Sequence, residues 1–336
     1  MGEQHAGSKF GQAGIMGVAL VEPELASWGD FVSEFAMDAA PAWLFRGQPN
    51  FEWGLGTSLR RAFTAAGITD PAQRAHHENS SIGFFKDRAR LHLPRQPAEN
   101  DLLGWLALMQ HYGAPTRLQD WTRSPFVAAY FAYRENPDCD SALWAVQAYF
   151  CRRAVTPGAI ALPWDHLGVF EEVYVDSDTG EKVAVVPSLL TTNSERENEI
   201  IREAIRRGAG WPVPTLPFDV DSRMAAQQAA FLVATDLEFP VDSLMDKSRW
   251  PKQATPGSFA EDLAKRAGAY PLQEPYQLIK KIRLPRAWRE PALRSLSRMG
   301  ITEDTIFPGV DGVGRATANQ VRAGELAFRD ALNTSA

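Results

Sequence analysis

Cysteine is nearly missing from this chain: Cys139 and Cys151 are its two. Two isolated thiols do not build a disulfide framework or a thiolate metal cluster. The six histidines do not make up for this, because none stands at metal-ligand spacing from another. His76 and His77 are neighbours, and neighbouring side chains on a helix point in different directions. No Cys/His/carboxylate pattern is present, so no metal is expected. Long apolar runs are missing too. Ile15 to Val21 is apolar but short, and Glu22 and Glu24 follow at once, so no bilayer-spanning segment and no membrane partner are expected. The N-terminus lacks a basic lead and a signal-peptide layout, which leaves a cytoplasmic protein as the expectation. Positive charge is not in excess: the net charge is -6, which excludes a global basic field and leaves only a local basic groove open to nucleic acid. No internal repeat is visible. What remains is ordinary for a globular protein, with 45% hydrophobic and 23% charged residues in 336. That length serves two domains or one large mixed domain.

One stretch is far denser in specialised residues than the rest. It runs Gln110-His111-Tyr112-Gly113-Ala114-Pro115-Thr116-Arg117-Leu118-Gln119-Asp120-Trp121-Thr122-Arg123-Ser124-Pro125. Leu102, Trp105, Leu106 and Met109 before it recur at helical spacing. Gly113 is placed to end that helix and Pro115 stops it from resuming. Ser124 reads as an N-cap with Pro125 at the first helical position. Phe126, Ala129, Tyr130 and Tyr133 then line one face of a second helix. The stretch therefore reads as a connector between two helices, built to hold itself in one shape, to hold a ligand, or both. Thr122 and Ser124 sit where free helix N–H groups favour an anion; for Ser124 capping is the commoner use, and the two are not exclusive.

Around it, Glu24 to Met37 reads as a helix with Trp28, Phe31 and Phe35 on one face. Trp43-Leu44-Phe45-Arg46 reads as a buried strand ending at Gly47-Gln48, and Pro71 to Leu91 as a helix. Strands are expected at Ala142–Tyr149, Lys182–Leu190 and Leu278–Leu284, and an apolar strand at Phe231–Thr235. Glu197 to Arg207 reads as an amphipathic helix with a solvated, charged face. Trp211 to Phe218 carries Pro212, Pro214 and Pro217, so it should be extended and irregular. A helix follows Pro285, a structured tail follows Gly300, and a last helix spans Ala316–Leu332. Short strands scattered among helices favour an α+β domain over a doubly wound sheet.

Three elements can carry chemistry. Arg46 closes an apolar strand, so its guanidinium sits at the rim of the core, where it can fork onto a phosphate or carboxylate. A structural salt bridge, with Asp120 as a partner, fits the same position. Gly47 beside it lets a ligand or another backbone come close. Asp120-Trp121-Thr122 sets a carboxylate next to a large aromatic before a helix start. It can orient Arg46 or Arg117, act on a ligand hydroxyl, or clamp the loop. Gln227-Gln228 brings two neutral amides into a strand, where they can read a ribose, an amide or a base edge, or brace the backbone.

These residues resemble the FRG domain family. Phe45-Arg46-Gly47 matches its name-giving element. The run from Gln110-His111-Tyr112-Gly113 through Pro115-Thr116-Arg117-Leu118, Asp120-Trp121-Thr122 and Ser124-Pro125 to Ala128 and Tyr130-Phe131-Ala132 matches its central signature. Arg223, Ala226-Gln227-Gln228 and Phe231 resemble its later Arg/Gln element, and Gly300-Ile301, Phe307-Pro308 and Asp311-Gly312 resemble its ending. Gln119 replaces the usual second Leu and Ala229 the usual Gly, which leaves the polar set intact. The resemblance makes 23–315 the FRG domain; the Gly-rich, polar start makes 1–22 a flexible N-terminal segment, the Pro, Gly, Ser and charge of 240–275 make it a loop-rich insertion, and 316–336 is a C-terminal helix and tail.

The element order is in turn distantly similar to the ADP-ribosyltransferase plan. That plan has an Arg or His on a first strand, a second strand leading into a helix with small polar residues, and a Glu or Gln on a later strand. It implies a single mixed α+β domain with a central split antiparallel sheet flanked by helices. It also implies NAD as ligand. Arg46 would hold a phosphate or ribose, and Tyr112 or Trp121 would stack on a ring. Thr122 and Ser124 would position the ligand, Gln228 would fix the ribose or the acceptor, and Asp120 would stabilise an oxocarbenium-like state. Gly47, Gln48, His111, Thr116, Arg117 and Gln227 complete the implied binding set. The implied function is NAD consumption, by ADP-ribosyl transfer or NAD glycohydrolysis, in a bacterial toxin or phage-defence effector, with a protein or nucleic-acid acceptor in the first case. The absence of a late Glu speaks against full transferase activity. The other readings are a non-catalytic sensor or interaction module that binds a nucleotide or ADP-ribose, and a motif that only clamps the fold.

Overall fold

A computed structural model describes residues 25–37, 43–93, 96–135, 138–148, 151, 160–161, 172–175, 182–185, 194–208, 212–217, 221–244 and 279–323. The expected flexible segment 1–22, nearly all of the expected insertion 240–275 and the end of the last helix lie outside the described residues.

In chain order the described elements are α1 (Trp28–Met37), β1 (Trp43–Gln48), α2 (Ser58–Ala65), α3 (Pro71–Ala89), α4 (Leu102–His111), β2 (Leu118–Thr122), α5 (Pro125–Tyr133) and β3 (Ser141–Gln147). Then come β4 (Ile160–Ala161), β5 (Glu172–Val175), β6 (Lys182–Val185), α6 (Ser194–Arg207), β7 (Val213–Thr215), α7 (Ser222–Ala226) and β8 (Ala229–Val233). The chain continues through α8 (Val241–Leu244), β9 (Ile279–Leu284), α9 (Arg289–Arg298), α10 (Glu303–Ile306) and α11 (Val310–Ala323). The fold is a mixed α+β domain around a six-stranded sheet of order β7-β8-β2-β1-β3-β9, every pair antiparallel. Strands β4, β5 and β6 form a separate antiparallel sheet.

Helices cover both faces of the main sheet, and the period-2 alternation of the strands divides the core between them. On β3, Ala142, Trp144 and Val146 join a cluster with Leu59 and Phe63 of α2 and Leu103, Leu106 and Met109 of α4. Leu143 and Ala145 face the other way, into a cluster with α1, α5, α9 and α10. Aromatic stacking fixes α1 there: Trp28 lies 4.8 Å from Phe31, and Phe35 meets Phe45 of β1 edge-on at 5.5 Å.

Three expectations from the sequence are corrected, and that for α6 is extended. The dense stretch is not a connector throughout. Its second half is β2, a central strand, because pairing with β8 along Leu118–Thr122 satisfies its backbone and only Asp120 in it is exposed. Helix α5 is buried well beyond one face, with Val127, Ala128, Ala129, Tyr130, Ala132 and Tyr133 all buried, since it is held between the sheet and the helices of the tail. Helix α6 is amphipathic as expected, with a core face opposite its charged one. Ile201 and Ala204 are buried, and the buried Asn198 accepts from Leu103 N–H at 2.8 Å and donates to Asp101 at 2.8 Å. The tail after Gly300 is helical earlier than expected, with α10 at Glu303–Ile306 and the last helix beginning at Val310. The proline-rich stretch is extended, as expected, and Pro214 sits in β7 at the edge of the sheet, where its missing N–H does least harm.

Candidate functional site

The main sheet is split down its middle. All of Trp43–Gln48 pairs with β3, and all of Leu118–Thr122 pairs with β8. Strands β1 and β2 meet in a single register pair, Phe45↔Thr122. Continuing that register would set Gly47 opposite Asp120. The ladder stops instead, and the Arg46 side chain takes its place: Nη1 donates to the Asp120 carbonyl at 2.5 Å. A backbone acceptor that β1 leaves unpaired is thereby satisfied by a guanidinium.

Why β1 keeps its course past the split is visible at Gly47. A Cβ there would stand 1.9 Å from the Ala128 carbonyl oxygen and 2.6 Å from the Ala132 nitrogen. So α5 packs directly on the β1 backbone, and the close approach that glycine permits is to a helix. Ser124 starts that helix as its N-cap, accepting from Val127 N–H at 3.2 Å. Thr122 accepts from Ser124 N–H at 3.0 Å and donates to the Gln227 carbonyl at 2.7 Å, which ties the end of β2 to the turn before β8.

A cavity of about 330 Å³ opens at the split. That lies within the range of small-molecule sites. Arg46, Gly47, Asp120, Trp121, Thr122 and Gln227 line it, and His111 stands on its wall. Arg46 is its most unusual group. Its Nε is buried and has no hydrogen-bond partner. Burial pulls the guanidinium's pKa down from the ordinary arginine value, the Asp120 charge opposes that and the Arg61 charge adds to it. An arginine keeps its charge regardless, so the cavity holds a cation with donor capacity to spare. The Asp120 carboxylate is aimed by Gln110, whose Nε2 donates to Oδ1 at 2.6 Å while its Oε1 accepts from Thr116 Oγ1 at 2.5 Å. Trp121 is buried, and its Nε1 donates to Gln119 at 3.3 Å.

The other residues singled out in the sequence are engaged elsewhere. Arg117 is buried, with Nε on Glu78 at 2.6 Å, Nη2 on the second oxygen of the same carboxylate, and Nη1 on the Ala234 carbonyl at 2.6 Å. Gln48 donates to the Gly54 carbonyl at 3.1 Å and accepts from Trp144 Nε1 at 2.7 Å. Tyr112 is exposed and meets His111 edge-on at 5.0 Å, outside the cavity lining. Gln228 takes a positive φ of 47° in the turn between α7 and β8, its carbonyl accepts from Arg123 N–H at 3.1 Å, and it does not line the cavity. Gln227 does, and its Nε2 donates to the Ile306 carbonyl at 3.1 Å.

Sequence reasoning missed several cavity residues. Asp221 caps α7 and stands 4.0 Å from His111 Nδ1. Arg223 lines the cavity and lies 4.9 Å over the Phe307 ring, and Glu135 lines it as well. The Arg/Gln element had flagged Arg223, but nothing in the sequence set Asp221 or Glu135 apart from other surface acids. Also missed was the buried Glu303, which accepts from the Tyr130 hydroxyl, from Arg134 at 3.0 Å and from Arg315 at 2.8 Å, and so ties the tail to α5. Among the described residues, no three His, Cys, Asp or Glu side chains gather as metal ligands, and no helix is long and apolar enough to cross a membrane.

The FRG domain family model matches residues 41–141. The match takes in β1, the dense stretch with β2, and α5, and stops well before Arg223 and Gln227. No curated protein and no solved structure matches the chain.

Proposed function

This chain carries an FRG domain, and we propose that the domain is an NAD-consuming enzyme, an ADP-ribosyltransferase or an NAD glycohydrolase. The observation that carries the reading is Arg46. It sits at the break between two central strands, in a cavity of about 330 Å³, with a buried Nε that has no partner. The first strand, the second strand with its following helix, and the strand after the Gln pair lie side by side in the order β8-β2-β1, which supports this reading by bringing the three elements to one split.

In this reading Arg46 holds a phosphate or ribose oxygen and Trp121 gives the wall for a ring. The bond between nicotinamide and ribose breaks with its electron pair leaving on nicotinamide, and positive charge grows on the ribose. The Asp120 carboxylate, held by Gln110, stabilises that charge. Water or an acceptor nucleophile then bonds to the ribose carbon and gives up its proton to solvent water. Gln227, the Gln that lines the cavity, takes the orienting part expected of Gln228. The resemblance to the family further suggests a cytoplasmic toxin or phage-defence effector with a protein or nucleic-acid acceptor.

A second reading, a non-catalytic sensor for a nucleotide or ADP-ribose, is favoured by one observation. The Gln227 amide is already bonded to the Ile306 carbonyl, and Gln brings no charge to the reaction. Incubation of purified protein with NAD, followed by chromatography for nicotinamide, separates the two. Release that disappears in Arg46→Ala supports the enzyme. No release together with ADP-ribose binding in calorimetry supports the sensor, and neither release nor binding leaves a motif that only clamps the fold.

A further inference from the structure

Beside the main cavity lies a smaller one of about 170 Å³. The two share Arg46, Gln110 and Asp120, so Arg46 stands at their junction. Gly56, Thr57 and Ser58, the entry to α2, form another wall of the annex, together with Arg61. Neither the sequence motifs nor the family match gives this annex a role.

Its charges are unusual. Arg61 donates from Nη1 to the Gly56 carbonyl at 2.6 Å, and Arg46 donates from Nη1 to the Asp120 carbonyl at 2.5 Å. Neither guanidinium has a carboxylate hydrogen-bonded to it among the described residues. A guanidinium offers five N–H donors, and here each uses one, so most remain free and one of Arg46's is buried. Two cations near one another repel, which costs free energy unless an anion comes between them. Asp120 offsets one of the two charges, with its carboxylate held back by Gln110. One positive charge stays in excess. The α2 entry adds little, because Leu59 N–H already donates to the Thr116 carbonyl at 3.0 Å and Arg60 N–H to Thr57 Oγ1 at 3.1 Å, so the excess charge is that of the two guanidinium groups. The annex is about half the volume of the main cavity and has room for a phosphate or diphosphate.

We propose that the annex is a phosphate subsite, in which Arg61 and Arg46 grip the diphosphate of a nucleotide whose nucleoside lies in the main cavity. The proposal rests on the ligand class of the reading above but not on turnover. Arg61 then decides for nucleoside diphosphates over nucleosides, and Arg46 couples the two cavities.

Calorimetric titration of the full chain with inorganic pyrophosphate, ADP and adenosine tests this. Arg61→Gln is the variant; the residue is exposed and its bond is to a single backbone carbonyl, so the fold is not at risk. Pyrophosphate and ADP should bind the unaltered protein, ADP at least tenfold tighter than adenosine. Arg61→Gln should weaken pyrophosphate and ADP about tenfold, the scale of one charge-assisted bond, and leave adenosine unchanged. Absence of pyrophosphate binding, equal affinity for ADP and adenosine, or an Arg61→Gln titration that matches the unaltered protein overturns the subsite. Nicotinamide release is read separately. Pyrophosphate binding that needs Arg61 in a protein that releases no nicotinamide upholds the subsite and removes only the turnover reading.

Discussion

Arg46 and Arg117 flank the same strand and end in opposite conditions. Arg117, just before β2, spends its guanidinium on both oxygens of Glu78 and on the Ala234 carbonyl, all of it buried. Arg46, on β1 across the split, has one carbonyl and a buried Nε with nothing to bond. Burying a charge is costly unless it is paired, so a fully satisfied arginine belongs to the fold. One left short of partners beside a cavity is a candidate for a ligand. The identity of the residue type says nothing of this; the count of partners does.

The largest effect should come from breaking the satisfied member. Arg117→Ala leaves the Glu78 carboxylate buried and alone, and should lower stability by about 3–5 kcal/mol in urea unfolding. A loss near zero would mean that Glu78 is not dependent on Arg117, and the contrast would fail. Gly47→Ala comes next. Its methyl group would meet the Ala128 carbonyl at 1.9 Å, so α5 has to move, at a cost of about 1–3 kcal/mol or more. The same variant should disturb the cavity, detectable as lost ligand affinity beyond the stability change. Ser124→Ala removes the α5 cap and should cost about 1 kcal/mol, with thermal unfolding as the readout. Arg46→Ala should be the mildest for the fold, below about 1 kcal/mol, because the lost bond to Asp120 is offset by removal of an unsatisfied buried donor. It should nonetheless abolish binding of NAD or ADP-ribose. If Arg46→Ala destabilises as much as Arg117→Ala, the two arginines do the same work and the site reading is lost.

Much of the scaffold was legible. β1, α3, β9 and the cap of α5 announce themselves through apolar periodicity, Pro71, and the Ser124-Pro125 pair, which are local signals. β2 was hidden because its neighbours β8 and β1 are distant in the chain, and its polar residues, Gln119 and Asp120, read as a loop. The sequence pointed to Arg46, Asp120 and Gln228, with Trp121 and Gln227 in the wider binding set; Arg46, Asp120, Trp121 and Gln227 share one cavity, and Gln228 does not line it. It could not separate them from Arg117, Gln48 and Tyr112. Glu78 and Trp144, which engage the first two, lie far off in sequence, and the exposure of Tyr112 follows only from how α4 packs. Arg61 went unnoticed for the same reason, since it belongs to an ordinary-looking helix that only the fold brings to the split.

The contact at Gly47 has one more implication. Helix α5 is joined to β2 through Arg123 and Ser124, and lies against the bare backbone of β1. The two halves of the sheet are thus bolted together across their own break, backbone on backbone, with no flexible side chain between to yield. The width of the opening is then set when the protein folds, and a molecule that enters meets a shape already made. Such preorganised recognition needs little induced fit, so free and occupied forms should superimpose closely around the split, and the chain should lose little further conformational entropy on binding.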